Sequence, residues 1–410
     1  MNKKGVIYCP NMREDFRYMN KLKKIAFISH FDGNIYLFRL SWIKALKDEG
    51  FEVYVLVPEG RYCEKLKKEK VKVINYKIKR GSLNPINALA TVCNLYKIMK
   101  QEKFDLVQTF TLQPNVYGTI AAWLAGVPTV VNLVEGLGYV YTGNSFKQKI
   151  LRAIFNILIS LSFKKAKKII FLNSDDLNTL GNLFNRNKAV IIRGTGINTE
   201  YYSLSNVDLK QVEKLRNELK IKGDDIVITI IARLYWSKGI REFIQSAKLL
   251  LNKYSNLKFL IVGPIDKGNP EAVPENFIKE NTNQFLKFLG ERDDIKEILF
   301  LTDIYVLSSY REGIPRTILE AMSMKKPIVT TNAPGCKETV EDGHNGFLVP
   351  IKDVKKLAEA VETLIKDESL RNKMGYASRE KVKKEFSDEI VVNKVLKLYK
   401  DFLFEKDNAS

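Results

Sequence analysis

Histidine is nearly absent from this sequence: there are two in 410 residues, His30 and His344. No Asp-x-Asp or His-x-His pair and no clustered Asp/Glu/His triad occurs, so no metal and no other cofactor is expected. Cysteine is as scarce. Cys9, Cys63, Cys93 and Cys336 stand far apart with no Cys-x-x-Cys pair, which argues against a zinc ribbon or a disulfide framework and fits a reducing compartment. No run of about 18 uncharged apolar residues is present, so no membrane-spanning helix is expected. The opening MNKKGVIYCPNMREDF lacks the apolar centre of a secretion signal. A cytoplasmic location is therefore expected, with residues 1–22 read as a loose extension.

Acidic residues are in short supply only in the first half. The formal net charge is +20. Residues 1–200 hold 32 Lys and Arg against 15 Asp and Glu, whereas residues 201–410 hold 35 against 32. Such asymmetry suggests that the first half faces something anionic, a phospholipid surface or a nucleic acid. No zinc-finger spacing, RNP-like aromatic motif or basic region with heptads accompanies the charge, so nucleic acid is not the expected partner.

From Lys23 onward, short Val/Ile-rich runs alternate with amphipathic stretches. KKIAFIS, FEVYVLVP, VKVINYKI, FDLVQTF, PTVVNLVE and AKKIIFLN read as strands with helices between them, the pattern of a parallel sheet covered on both faces. VIIRGTGINTEYYSLS breaks the rhythm with Gly194 and Gly196 and reads as a linker, set at 194–205. The pattern restarts with DIVITIIARL, LKFLIVG, QFLKFLG, DIYVLSS and KPIVTTN, and DEIVVNKVLKLYKDFLFEK is a long final helix. The expected fold is α/β: two doubly wound Rossmann-like domains, 23–193 and 206–387, facing across a cleft, with the helix of 388–410 returning to the first. Ligands of such sheets bind where the carboxyl ends of the strands meet.

Candidate chemistry gathers at strand ends of the second half. In IIARLYWSKG, Arg233 leaves the strand and Lys238 follows just before Gly239; together they suit a diphosphate clamp. In SYREGIPRTILEAMSMKKP, Pro315 fits the first helical position. Backbone N–H groups over Gly313, Ile314, Pro315's neighbours Arg316 and Thr317 would then point at an anion. Glu320 lies one turn further on and Glu312 just before the turn. Two carboxylates flanking a diphosphate site suit a molecule with a sugar on either side, a nucleotide sugar.

These residues carry a resemblance. The Glu312-x7-Glu320 spacing, the ARLYWSKG segment, the APGCKETVEDGHNGFLV segment and the domain order resemble the family 4 glycosyltransferases of GT-B architecture over about residues 23–404. The resemblance implies retaining transfer from a nucleotide sugar. Arg233 and Lys238 would hold the diphosphate, Glu320 the ribose and Glu312 the donor sugar; Gly33 would sit in a loop that approaches the phosphates from the first domain. Within the family, ISHFDGNIYLFRLSWIKALKD, RGSLNP and NLVEGLGYVYTG look like the branch that adds α1,3-linked N-acetylgalactosamine to diacetylbacillosamine on undecaprenyl diphosphate. That implies UDP-GalNAc as donor, a polyprenyl-diphosphate-linked acceptor and a peripheral position on the inner face of the membrane. Capsule and O-antigen transferases with other donors share parts of these segments, and a GT-B nucleotide-sugar 2-epimerase would use the same architecture.

Where many family members carry a cleft histidine after the fifth strand, this sequence has Glu135 and Gly136. Glu135 is a candidate for orienting an acceptor or donor hydroxyl, provided hydrogen bonds or a proton offset its charge beside a diphosphate. His30, at the end of the first strand, either reaches the cleft or is structural. Arg292, in FLGERDDI, is a candidate for stacking on the base. In SFKQKILRAIFNILISLSFKKAKK, polar residues Lys149, Arg152, Asn156, Ser160, Lys164 and Lys167 recur at helical spacing. This pattern fits a membrane-interface helix and equally a buried helix with one polar stripe.

Overall fold

The computed structural model describes residues 23–404, apart from 83, 139–140, 142–145 and 267. The extension expected over 1–22 lies outside them. The alternating runs form two parallel sheets. The first holds β1 (Lys24–Ile28), β2 (Glu52–Val57), β3 (Lys72–Asn75), β4 (Leu106–Phe110), β5 (Thr129–Val134), β6 (Lys168–Phe171) and β7 (Ala189–Ile191), in the order β3-β2-β1-β4-β5-β6-β7. The second holds β8 (Ile226–Ile231), β9 (Leu257–Val262), β10 (Leu286–Gly290), β11 (Ile304–Leu307), β12 (Ile328–Thr331) and β13 (Gly346–Val349), in the order β10-β9-β8-β11-β12-β13. Central strands such as β5 and β9 are buried at every residue, which is why they read as unbroken Val/Ile/Leu runs rather than alternations.

In each sheet the chain order reverses beside the first strand, at β1/β4 and at β8/β11. That is the switch point where the loops on either side part and leave a crevice. The loops after β1, β4 and β5 in one domain and after β8 and β11 in the other therefore converge.

The final helix, Asp388–Phe404, returns to the first domain as expected. Ser41 donates to Asp388 at 3.1 Å, Tyr399 donates to the buried Gln108 side-chain oxygen Oε1 at 2.7 Å, and Lys400 pairs with Glu49 at 2.7 Å. Trp42 donates its indole N–H to the Thr195 carbonyl of the linker at 3.0 Å, and across the domains Arg311 pairs with the buried Asp176. Among the described residues no helix is long and apolar enough to cross a membrane.

Two strands escaped the sequence pattern. β7 has three residues and abuts the linker, and β13 is a four-residue edge strand opening on glycine. β7 is too short for periodicity to detect, and β13, Gly-Phe-Leu-Val, carries a single β-branched residue.

Candidate active site

The switch points enclose a cavity of about 520 Å³, lined by His30, Thr111 and Glu135 from one domain and by Arg233, Lys238 and Glu312 from the other. The Gly313–Thr317 turn and Glu320 complete the second wall.

Arg233 leaves β8 with its guanidinium 4.8 Å from the centre of the Tyr235 ring, whose hydroxyl is itself held by Asp266. Lys238 ends a single 3₁₀ turn, Trp236–Lys238, that Gly239 closes at φ +73°. A Cβ on Gly239 would stand 2.1 Å from the Ser308 carbonyl oxygen, so only glycine lets this turn lie against the exit of β11. The Tyr310 N–H donates to the Ser237 carbonyl at 2.9 Å and locks the two segments together. Lys238 Nζ in consequence reaches Glu312 Oε1 at 2.5 Å, with both side chains largely buried.

Past Glu312 the chain turns into the helix Arg316–Ser323. Pro315 is its N-cap, at φ −72° and ψ 109°, not its first helical residue as the sequence suggested. The ring accepts that φ, but the extended ψ holds Pro315 outside the helix. No side-chain hydrogen bond caps this end, so the first-turn N–H groups keep their capacity for an anion. Arg316 reaches forward one helical turn to Glu320 at 3.1 Å. Burial pushes the Glu320 carboxyl above its usual range, and the Arg316 charge with hydrogen bonds from Tyr202 and Arg316 opposes that shift.

Across the cavity, Glu135 accepts from Asn34 at 2.8 Å and pairs with Arg39. Arg39 is wholly buried, its guanidinium 4.7 Å from the Trp42 ring and 4.9 Å from that of Phe110. The sequence alone posed Glu135 as a carboxylate needing compensation; here it has a cation and an amide donor. Gly136 (φ +122°) packs directly behind the turn, where an added Cβ would lie 3.1 Å from the Gly313 nitrogen. Gly313 itself lets the two domains touch, because a Cβ there would fall 2.2 Å from the Glu135 carbonyl oxygen.

His30 faces the cavity and shares a 2.6 Å hydrogen bond with Thr111. Thr111 holds φ +70°, rare for a branched residue, at the end of β4; such strain concentrates at functional sites. Burial, with the charges of Arg80 and Arg233 behind it, pulls the His30 imidazole down to about 4. The ring is therefore neutral near pH 7. A proton titration followed by NMR should show one imidazole midpoint near pH 4 that is lost in His30→Gln, and a bound diphosphate should move it upward by screening both arginines.

Two sequence candidates are not in the cavity lining, although Phe31 and Asn34 on either side of Gly33 are. Arg292 does not line the cavity: its guanidinium is taken up by Asp294 at 2.5 Å and Glu218 at 3.1 Å. Gly33 lies in the first turn of the helix Asp32–Asp48 rather than in a loop. There an added Cβ would meet the Phe31 ring at 2.4 Å and Tyr62 at 2.9 Å, so its smallness serves that aromatic packing. Conversely, Arg39, Arg80 and Thr111 were not singled out. Arg39 and Thr111 meet Glu135 and His30 from 96 and 81 residues away, and Arg80 stands out only as part of the segment RGSLNP.

Known proteins match this arrangement in sequence and in fold. Residues 24–173 match the family model of glycosyl transferase 4-like domains, and residues 211–381 that of glycosyl transferases group 1. The N,N'-diacetylbacillosaminyl-diphospho-undecaprenol alpha-1,3-N-acetylgalactosaminyltransferase of Campylobacter jejuni is 36% identical over 378 residues, 92% of this chain and 98% of that protein. The chain belongs to the group 1 glycosyltransferases. The UDP-Gal:alpha-D-GlcNAc-diphosphoundecaprenol alpha-1,3-galactosyltransferase of Escherichia coli is 28% identical over 373 residues, 90% of this chain and 93% of that one. Among solved structures, Anabaena HepE in complex with UDP superposes with a TM-score of 0.76 at 20% identity, covering 93% of this chain and all of that one. This glycosyltransferase thus has the GT-B fold that its two sheets and facing switch points required.

Proposed function

We propose that this glycosyltransferase moves N-acetylgalactosamine, with retention, from UDP-GalNAc to a sugar carried on a polyprenyl diphosphate at the inner membrane face. The observation that carries this reading is the convergence of Arg233, Lys238 and an uncapped helix end on one cavity, with Glu312 and Glu320 on either side. The relatives support the donor and acceptor classes.

Leaving UDP gathers negative charge as its bond to the sugar breaks. Arg233, Lys238 and the first-turn amides meet that charge from fixed positions, a contribution of about 3–4 kcal/mol per donor group to transition-state stabilisation. In the free protein Lys238 pairs with Glu312; a bound diphosphate offers the ammonium a second anion and leaves Glu312 to accept from sugar hydroxyls. Glu320 is placed for the ribose, and Glu135, held by Arg39 and Asn34, for a sugar hydroxyl nearer the first domain. With these cations meeting the leaving group, transfer needs no metal ion. Attack from the departing side, a phosphate oxygen taking the acceptor's proton, accounts for retention without a second carboxylate.

A panel of UDP-GalNAc, UDP-GlcNAc and UDP-Gal against diacetylbacillosaminyl-diphospho-undecaprenol, with and without EDTA, tests this. Mass spectrometry should show one added N-acetylhexosamine from UDP-GalNAc in both conditions. Transfer from UDP-Gal alone would replace the donor assignment with that of the Escherichia coli relative. Epimerised nucleotide sugar formed without acceptor would overturn the transferase reading.

A further inference from the structure

The segment RGSLNP is left unused by donor binding. Its first residue, Arg80, lines the cavity from the first domain, on the wall opposite Arg233. Unlike most cations at the site, it has no carboxylate partner among the described residues. Its charge is nonetheless felt in the cavity, since it helps depress the His30 imidazole.

The loop that presents Arg80 is pinned. Gly81 (φ +72°) donates its N–H to the Gln113 side chain at 3.0 Å, Asn87 donates to the Ser82 hydroxyl at 3.0 Å, and Asn84 caps the next helix by accepting from the Ile86 N–H at 2.9 Å. That helix, Pro85–Glu102, then shows two large apolar side chains to solvent in its first turns, Ile86 at 74% and Leu89 at 65% exposure. Six and nine residues after this cavity-lining guanidinium, the chain thus shows an apolar pair to solvent.

We propose that Arg80 binds the diphosphate of the acceptor, and that Ile86 and Leu89 carry the first part of its polyprenyl chain from the cleft to the bilayer. The inference rests on the acceptor class proposed above. An arginine fork suits a phosphate better than a sugar hydroxyl. The donor diphosphate already has Arg233, Lys238 and the helix end on the other wall. An acceptor whose sugar lies between the two walls must place its own diphosphate about one sugar away from the donor's, on the first-domain side. Chain atoms beyond that diphosphate need an apolar path, which Ile86 and Leu89 would supply.

The test compares two acceptors, diacetylbacillosamine on undecaprenyl diphosphate and the octyl glycoside of the same sugar. In Arg80→Ala, the ratio of kcat/KM on the diphosphate acceptor to that on the glycoside should fall about tenfold, as loss of a charge-assisted hydrogen bond implies. The KM for UDP-GalNAc should stay within about twofold, and Arg80→Lys should recover part of the loss. Ile86→Asp with Leu89→Asp should raise the KM of the undecaprenyl acceptor while leaving that of a short-chain diphosphate acceptor in place. A rise in donor KM equal to the acceptor effect would assign Arg80 to the donor and overturn the proposal. So would equal losses on both acceptors, the mark of a structural role. Wild-type failure on the diphosphate acceptor would instead overturn the parent reading.

Discussion

Arg233→Ala and Lys238→Ala each lower kcat by ~10²–10³-fold in a UDP-GalNAc transfer assay while circular dichroism and the unfolding midpoint show a folded protein. The expected size follows from removing one fixed donor aimed at a developing oxyanion. Neither residue builds the core: each projects from a strand exit into the cavity. The two variants should nevertheless differ. Arg233 rests on Tyr235 and has no acid partner among the described residues, so its removal strands no carboxylate there. Lys238 is held by Glu312, and its removal leaves a largely buried carboxylate alone, at a cost in stability as well as in rate. Lys238→Ala with Glu312→Gln should therefore regain stability without regaining activity. Glu312→Ala alone should also lose most turnover, because it removes the acceptor for sugar hydroxyls. Near-wild-type kcat in both cation variants would refute the clamp.

What the sequence made legible is what is local. Eleven strands stood out as Val/Ile runs because parallel strands buried on both faces contain little else. Arg233, Lys238, Glu312 and Glu320 could be found because each lies within a few residues of a strand exit or helix start, where spacing carries the geometry. The first-domain wall is different in kind. Glu135 meets Arg39 from 96 residues away, and His30 meets Thr111 from 81. Nothing in either local pattern announces the partner. Arg292 shows the converse: it is a cation near a strand end, and its nearest partner is the acid two residues on, Asp294, rather than any group of the cavity.

In the helix Phe146–Lys165, tertiary partners sort the residues of one sequence pattern into an inward and an outward face. Its polar stripe turns partly inward: Asn156 accepts from Tyr141 at 2.6 Å and Ser160 donates to the Leu183 carbonyl at 2.8 Å. Phe146, Ile150, Ile154, Ile157 and Leu161, at i, i+4, i+8, i+11 and i+15, instead face solvent at 46–79% exposure. Such a stripe on a soluble surface calls for a covering. Residues 136–174 contain seven Lys or Arg and no Asp or Glu, a charge that an anionic bilayer would complement if the acceptor is membrane-borne as proposed above. Exposed Trp123 lies at the far end of this face, with Lys165 Nζ 4.0 Å from its ring centre. Each lysine near an anionic surface contributes about 1 kcal/mol, and each buried apolar side chain about 1.5–3 kcal/mol at most. Ile154→Asp, Ile157→Asp and Leu161→Asp combined should therefore reduce co-sedimentation with phosphatidylglycerol vesicles by more than about a hundredfold in partition coefficient. Lys149, Lys164, Lys165 and Lys167 all changed to Gln should abolish the preference for anionic over neutral vesicles and leave the weak apolar part. All seven positions are exposed or face solvent at the rim, so the fold should tolerate both sets. Binding that ignores lipid charge, or a triple-Asp variant that changes a dimer into a monomer with vesicle binding intact, would show that this face meets protein rather than membrane.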